Sequence, residues 1–187
     1  GRNAGDGVPY VEKVIHLRTK DMTRMALLTA IALTIFMVEL QLPGLSPVPG
    51  IKLGLANIVT LLALYLLGPK SAFTVLVLRC ALGAAFGGGL TGFLFSAIGG
   101  LLAMAVMTVA RHTNKLSIYG VSILGAAFHN IGQILIAMLL MQSVYVAAYL
   151  PYLLGAAIFT GLLTGSACAG TLRALYAIDK NRKGASA

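Results

Sequence analysis

The chain has 187 residues, of which 58% are hydrophobic and 10% are charged, and its formal net charge is +9. A soluble domain of this length cannot bury so much apolar surface, so the composition excludes an ordinary soluble protein and favours lipid as the solvent. The net charge does not indicate a nucleic-acid partner, because the Lys and Arg residues lie in the terminal segments and short loops and are nearly absent between them.

Six apolar stretches in chain order predict an all-α membrane protein, a bundle of six transmembrane helices. They run over 22–42, 51–68, 70–88, 90–110, 118–142 and 150–175. Each can cross, or nearly cross, a hydrocarbon layer of ~30 Å as a helix. The first break contains three prolines, which cannot continue a helix. The third break, between the third and fourth stretches, is the weakest, because the apolar character barely drops there.

The expected organisation is a polar N-terminal tail over 1–21, a membrane domain over 22–175 and a basic cytoplasmic tail over 176–187. We expect no cleavable signal peptide, because the first apolar stretch is too long for one. With the N-terminus placed inside, twelve of the fourteen Lys and Arg residues fall on the inner side. The positive-inside rule therefore predicts that both termini are cytoplasmic.

Seven polar side chains interrupt the apolar stretches, and the predicted topology places all of them between the middle and the outer face of the membrane. Because they come from four helices at overlapping depths, we expect them to line one polar cavity that opens outward and binds a ligand. The seven are Glu39, Lys52, Asn57, Arg79, His129, Asn130 and Gln133.

Arg79 carries the strongest signal, because a charge at the centre of a bilayer costs roughly 2.5–3.5 kcal/mol on insertion scales. It either contacts a ligand or forms an internal ion pair, for which Glu39 is the candidate carboxylate. Lys52 either faces the cavity or extends to the outer headgroups. His129 and Gln133 share one helix face at i, i+4 spacing, and their polar groups suit a polar ring system or a phosphate.

The chemistry of known active sites is missing from the sequence. No DDxxD-type acidic motif, Walker A loop, GxSxG motif or Cys/His cluster occurs, so we expect no catalytic residue, no metal and no cofactor. Cys80 and Cys168 lie inside apolar stretches, and we interpret them as packing residues.

Three segments together resemble one bacterial membrane family. They are PGIKLGLANIVTLLALYLLGPKSA, LRCALGAAFGGGLTGFLFSAIGGLLA and AAFHNIGQ, with the elements K-x-G-x-x-N, R-x-x-x-G and HNxxQ, and the resemblance covers about residues 22–175. The family is known as heptaprenyl diphosphate synthase component I and as the Gx transporter family. It is grouped with the substrate-binding S components of energy-coupling factor (ECF) transporters.

This resemblance implies a multi-pass protein of the bacterial cytoplasmic membrane with a ligand pocket on its outer side. The AxxxA element Ala26/Ala30 on the first helix would dock on a transmembrane coupling subunit, which acts with two ATPase subunits. The implied function is capture of a small organic molecule for uptake, such as a flavin-like vitamin or an isoprenoid or quinone precursor. The cationic pair Lys52 and Arg79 favours an anionic one, with a carboxylate or phosphate.

Two alternatives stay open at this point. One is a non-catalytic membrane subunit for the synthesis of heptaprenyl diphosphate, a quinone side-chain precursor. The other is a structural subunit of a membrane redox complex.

Overall fold

A computed structural model describes residues 8–41, 52 and 54–185, and its elements are helical. The prolines and glycines of the predicted breaks separate most of them. The helices are α1 (Val8–Gln41), α2 (Asn57–Leu67), α3 (Pro69–Gly83), α4 (Gly89–His112), α5 (Ile118–Met141) and α6 (Leu150–Ala185). A π-helical turn (Ala84–Gly88) joins α3 to α4, and a 3₁₀ turn (Val144–Tyr149) precedes α6. The all-helical class predicted from the sequence is confirmed.

Five helical segments, two of which include the π-helical or the 3₁₀ turn, are apolar and long enough to cross a membrane, whereas six spans were expected. The five segments are Thr19–Gln41, Pro69–Gly87, Gly89–His112, Ile118–Met141 and Val144–Asn181. The second predicted span is too short as a helix: α2 has 11 residues, about 16 Å at 1.5 Å per residue, or half of a hydrocarbon layer. The prediction that a helix begins near residue 51 is wrong, because Lys52 and residues 54–56 are not helical.

The short helix α2 lies at the centre of the bundle. Helices α4, α5 and α6 pack in sequence as neighbours, and α1 packs against α3, which in turn packs against α4. Helix α2 contacts each of the other five helices and so joins α1 and α3 on one side to α4, α5 and α6 on the other. Its buried residues Leu61 and Leu64 belong to the main apolar core, together with Val75 and Leu76 of α3 and Met107 of α4.

Small residues bring α4, α5 and α6 into backbone contact. A Cβ atom added to Gly132 of α5 would lie 2.7 Å from Cα of Gly99 in α4. A Cβ atom added to Gly161 of α6 would lie 2.5 Å from Cα of Ile123 in α5. Such separations leave no room for a side chain, so these glycines set the distance between the helices.

The chain turns sharply between α3 and α4, where the sequence showed its weakest break. Gly87 has φ 151° and Gly89 has φ 57°, conformations that L-residues other than glycine rarely adopt. The run of three glycines at residues 87–89 therefore forms the turn between two helices. The helices also extend into both predicted tails, since α1 begins at Val8 and α6 ends at Ala185.

Candidate functional site

The non-helical segment before α2 organises a buried polar cluster. Gly54 in this segment is buried and has φ 73°. Its neighbours force a glycine there, since an added Cβ atom would lie 2.6 Å from Cδ2 of His129 and 3.2 Å from Nδ2 of Asn57. Non-helical backbone inside a membrane protein is tolerated where other groups satisfy its hydrogen bonds. The polar residues predicted from the sequence supply them.

Glu39 of α1 satisfies the backbone at the start of α2. Its Oε1 accepts a hydrogen bond of 2.6 Å from the N–H of Gly54. The first N–H groups of a helix have no partner inside the helix and carry partial positive charge, so a carboxylate there is stabilising. Glu39 therefore fixes the non-helical segment directly before α2, a role that the sequence analysis did not predict.

Gln133 and His129 of α5 hold the same segment from the other side. The Lys52 N–H donates to Oε1 of Gln133 at 3.3 Å, and Nε2 of Gln133 lies 3.1 Å from Nε2 of His129. Because the amide oxygen faces the Lys52 N–H, its NH₂ group donates to the histidine ring. Nε2 of His129 is then an acceptor, and the ring is neutral with its proton on Nδ1.

Arg79 of α3 is buried, with 4% of its surface exposed. Its Nη2 donates to Oδ1 of Asn57, the first residue of α2, at 3.0 Å. The ion pair with Glu39 that the sequence left open does not form: the Glu39 carboxylate accepts from the Gly54 N–H, and Arg79 donates to Asn57. Nε of Arg79 has no hydrogen-bond partner among the residues that the structure describes.

Lys52 points into the bundle. Its ammonium lies 4.0 Å from the centre of the Phe36 ring in α1, where a cation–π interaction stabilises it. A Cβ atom added to Gly92 of α4 would lie 3.8 Å from Nζ. Within the described part of the chain Nζ has no acceptor. No group of three His, Cys, Asp or Glu side chains able to hold a metal ion occurs among these residues either.

Asn130 stands apart from the other six residues. Its Nδ2 donates to the backbone oxygen of Leu153 in α6 at 2.7 Å, so it joins α5 to α6. The sequence placed it about 100° around the helix from His129, and that rotation directs it to a different neighbour. The expectation that all seven side chains line one cavity therefore fails for Asn130.

A small cavity lies beside the cluster, between α2, α4, α5 and α6. Its volume is about 10 Å³, which is close to the room that one water molecule needs. Gly54 and Asn57 line it together with the hydroxyl-bearing Ser122, Thr160 and Thr164. Sequence analysis missed these hydroxyls because Ser and Thr in apolar helices commonly bond to their own backbone. Here Oγ of Ser122 instead lies 2.8 Å from Oγ1 of Thr164 across the α5–α6 contact.

The predicted docking element on α1 faces outward. Ala26 and Ala30 are both exposed, with Leu27 and Ile31 beside them, while Ala32 is fully buried against the core. The AxxxA element is therefore available to a neighbouring protein or to lipid. The proline-containing break between the first two predicted spans, residues 43–50, lies outside the described residues.

The fold and the cluster define a multi-pass helical membrane protein with a buried, cation-bearing polar site. Residues 28–171 match the family described as heptaprenyl diphosphate synthase component I, and the chain belongs to this family. No curated protein and no solved structure matches the chain.

Proposed function

We propose that this protein is a membrane-embedded subunit that binds a small organic anion and performs no bond chemistry itself. One observation carries the proposal: the two buried cations of the cluster, Lys52 and Arg79, keep donor atoms that no described residue accepts from. The ligand-binding residues are Glu39, Lys52, Asn57, Arg79, His129 and Gln133. Asn130 serves the site by fixing α5 against α6.

The energetics of buried donors favour an anion over a neutral ligand. A buried donor without a partner costs about 1–3 kcal/mol, and more when it is charged. A carboxylate or phosphate oxygen placed between the ammonium and the guanidinium would remove both penalties with charge-assisted hydrogen bonds. The Asn57 amide supplies a further polar contact for the rest of the ligand, and the neutral His129 adds no charge.

The proposed setting is an ECF-type uptake transporter in the bacterial cytoplasmic membrane, with both termini inside. In this setting the chain is the substrate-capture subunit. The exposed AxxxA face of α1 supports it, because small residues at four-residue spacing let a partner helix approach closely. The partners are then a transmembrane coupling subunit and two ATPase subunits.

A second candidate is a non-catalytic membrane subunit for prenyl diphosphate synthesis. The family match favours it, since component I names one part of a synthase with a separate partner. The same cationic cluster would then hold the charged end of a prenyl compound. Affinity purification separates the two candidates: ATPase subunits in the purified complex support transport, and a soluble prenyl synthase supports the second candidate.

Native mass spectrometry of protein purified in mild detergent tests anion binding directly. We expect the wild-type protein to carry a small organic anion and Arg79→Gln to lose most of it. The matched control is Arg173→Gln, which removes the same charge from an exposed position in α6. Equal ligand retention in the two variants would contradict the proposal.

A further inference from the structure

We propose that the site selects a ligand carrying one negative charge and discriminates against ligands carrying two or more. This inference rests on the proposed function, because it requires that an anion binds at Lys52 and Arg79. It goes beyond that function by stating the charge class of the ligand.

The charge count of the cluster is the first step. Lys52 and Arg79 contribute two positive charges, and Glu39 contributes one negative charge that is already bound to the backbone at the start of α2. The surplus is therefore a single positive charge. Glu39 does not pair directly with either cation among the described residues, so it lowers the net charge of the site without blocking the donors.

The neutral state of His129 is the second step. Its Nε2 accepts from the Gln133 amide, whose oxygen is in turn fixed by the Lys52 N–H. Its Nδ1 side is enclosed by α4, since a Cβ atom added to Gly99 would lie 2.8 Å from that nitrogen. A second ring proton would have to go on Nε2, where it would face the NH₂ group of Gln133 and not an acceptor. The neighbouring Cys80 carries a thiol, which adds no positive charge to the cluster.

The sequence shows where the remaining acidic residues of the chain lie. The other four acidic residues of the chain are Asp6, Glu12, Asp21 and Asp179, all far along the chain from the cluster. Segment 42–51, which joins α1 to Lys52, contains no ionisable side chain. This segment therefore supplies no positive charge that could balance a second or third negative charge on the ligand.

A buried site tolerates a net charge poorly, because transfer of an uncompensated charge from water to a protein interior is expensive. A monoanion brings the sum of ligand and site to zero. A phosphate monoester, with about 1.5–2 negative charges at neutral pH, leaves an excess of negative charge in the site. A diphosphate leaves a larger excess of negative charge. The geometry thus points to a carboxylate or another singly charged group, and away from a prenyl diphosphate as the resident ligand.

A probe series with one organic group and different charges tests this preference. The probes are farnesol, farnesoic acid, farnesyl monophosphate and farnesyl diphosphate, and affinity is measured with the full chain in nanodiscs of neutral lipid. We expect the carboxylate to bind at least about tenfold more tightly than the diphosphate. The simple anions formate, sulfate and pyrophosphate, scored by thermal shift, repeat the comparison without the farnesyl chain.

Glu39→Gln provides the decisive variant. The Gln side chain keeps an oxygen to accept from Gly54, but the surplus rises from one positive charge to two, so the preference should shift toward the monophosphate. Asp21→Asn, which makes the same charge change at an exposed position, should leave the order of affinities unchanged. Lys52→Gln is the second variant. It reduces the surplus positive charge to zero, so the affinity for the neutral alcohol should rise relative to the affinity for the carboxylate.

The outcomes separate this inference from the function on which it rests. If the diphosphate binds best and Glu39→Gln and Lys52→Gln leave the order unchanged, charge selection is wrong while anion binding stands. If no anion of either series binds in a manner that depends on Arg79, both proposals fail. A preference for the carboxylate that moves with the charge of the cluster supports both.

Discussion

Replacing Gly99 by alanine should weaken the contact between α4 and α5 and release the histidine that supports the polar cluster. The added methyl group would lie 2.8 Å from Nδ1, 2.9 Å from Cε1 and 3.0 Å from the backbone oxygen of His129. The histidine is almost fully buried, at 3% exposure, and is hydrogen-bonded to Gln133. It cannot move aside without breaking that bond.

The magnitude follows from comparison with a glycine that has free space. Overpacking a filled interior typically costs 1–3 kcal/mol. Gly170 in α6 is also helical, and an added Cβ atom there would meet nothing within 4 Å. Both substitutions gain the same helix preference of alanine over glycine, about 0.5–1 kcal/mol, so this contribution cancels in the difference. We expect Gly99→Ala to be less stable than Gly170→Ala by about 1–3 kcal/mol.

Reversible unfolding in mixed detergent micelles, followed by circular dichroism, measures the two free energies of unfolding. The same preparations should show weaker anion binding for Gly99→Ala only, because displacement of His129 frees the Gln133 amide that holds the Lys52 backbone. Equal stability and equal binding for the two variants would refute the close approach of α4 and α5 and the fixed position of His129.

Three further outcomes are expected. Gly161→Ala should lower the free energy of unfolding by about 1–3 kcal/mol, because its methyl group would press on the α5 backbone; an unchanged value would place the α5–α6 contact elsewhere. Arg111→Met should lower it by about 1.5–3 kcal/mol, since the guanidinium donates to a backbone carbonyl near the end of α2; full retention of stability would argue that water replaces that bond. Ala30→Trp should abolish co-purification of partner subunits without changing the melting temperature. Ala167→Trp, at another exposed position, should leave co-purification intact. If Ala30→Trp does not change the recovery of partner subunits, the transporter setting loses its main support.

The sequence predicted the helical class and most breaks because these depend on local composition. Apolar stretches of about 20 residues require helices in lipid, and proline or glycine runs end them. The burial of Arg79 and His129 was also predictable, because a polar group of that kind has no stable position facing lipid. Their use as ligand contacts stays a prediction.

The start of α2 was not predictable in the same way. Residues 51–56 are apolar apart from Lys52, so no drop in hydrophobicity marks the boundary at Asn57. The boundary depends on Glu39, which accepts a hydrogen bond from a residue 15 positions away, and on Gln133, which binds a residue 81 positions away. Hydrogen bonds between residues so far apart are set by how the helices pack, and the hydrophobic periodicity of the sequence does not predict them.

The separate position of Asn130 has a related cause. His129 and Asn130 are adjacent in sequence, and composition treats them alike. Only the rotation of α5 against α6, which Gly161 and Gly165 permit by close approach to α5, decides which of the two faces the cluster. A single sequence does not specify that rotation.

Charged side chains of two different neighbours hold α2 at its two ends. The Glu39 carboxylate of α1 binds the segment directly before its first residue, and the Arg111 guanidinium of α4 donates to a carbonyl near its last. The helix that is too short to span a membrane is thus the element through which α1 and α4 are tied to each other.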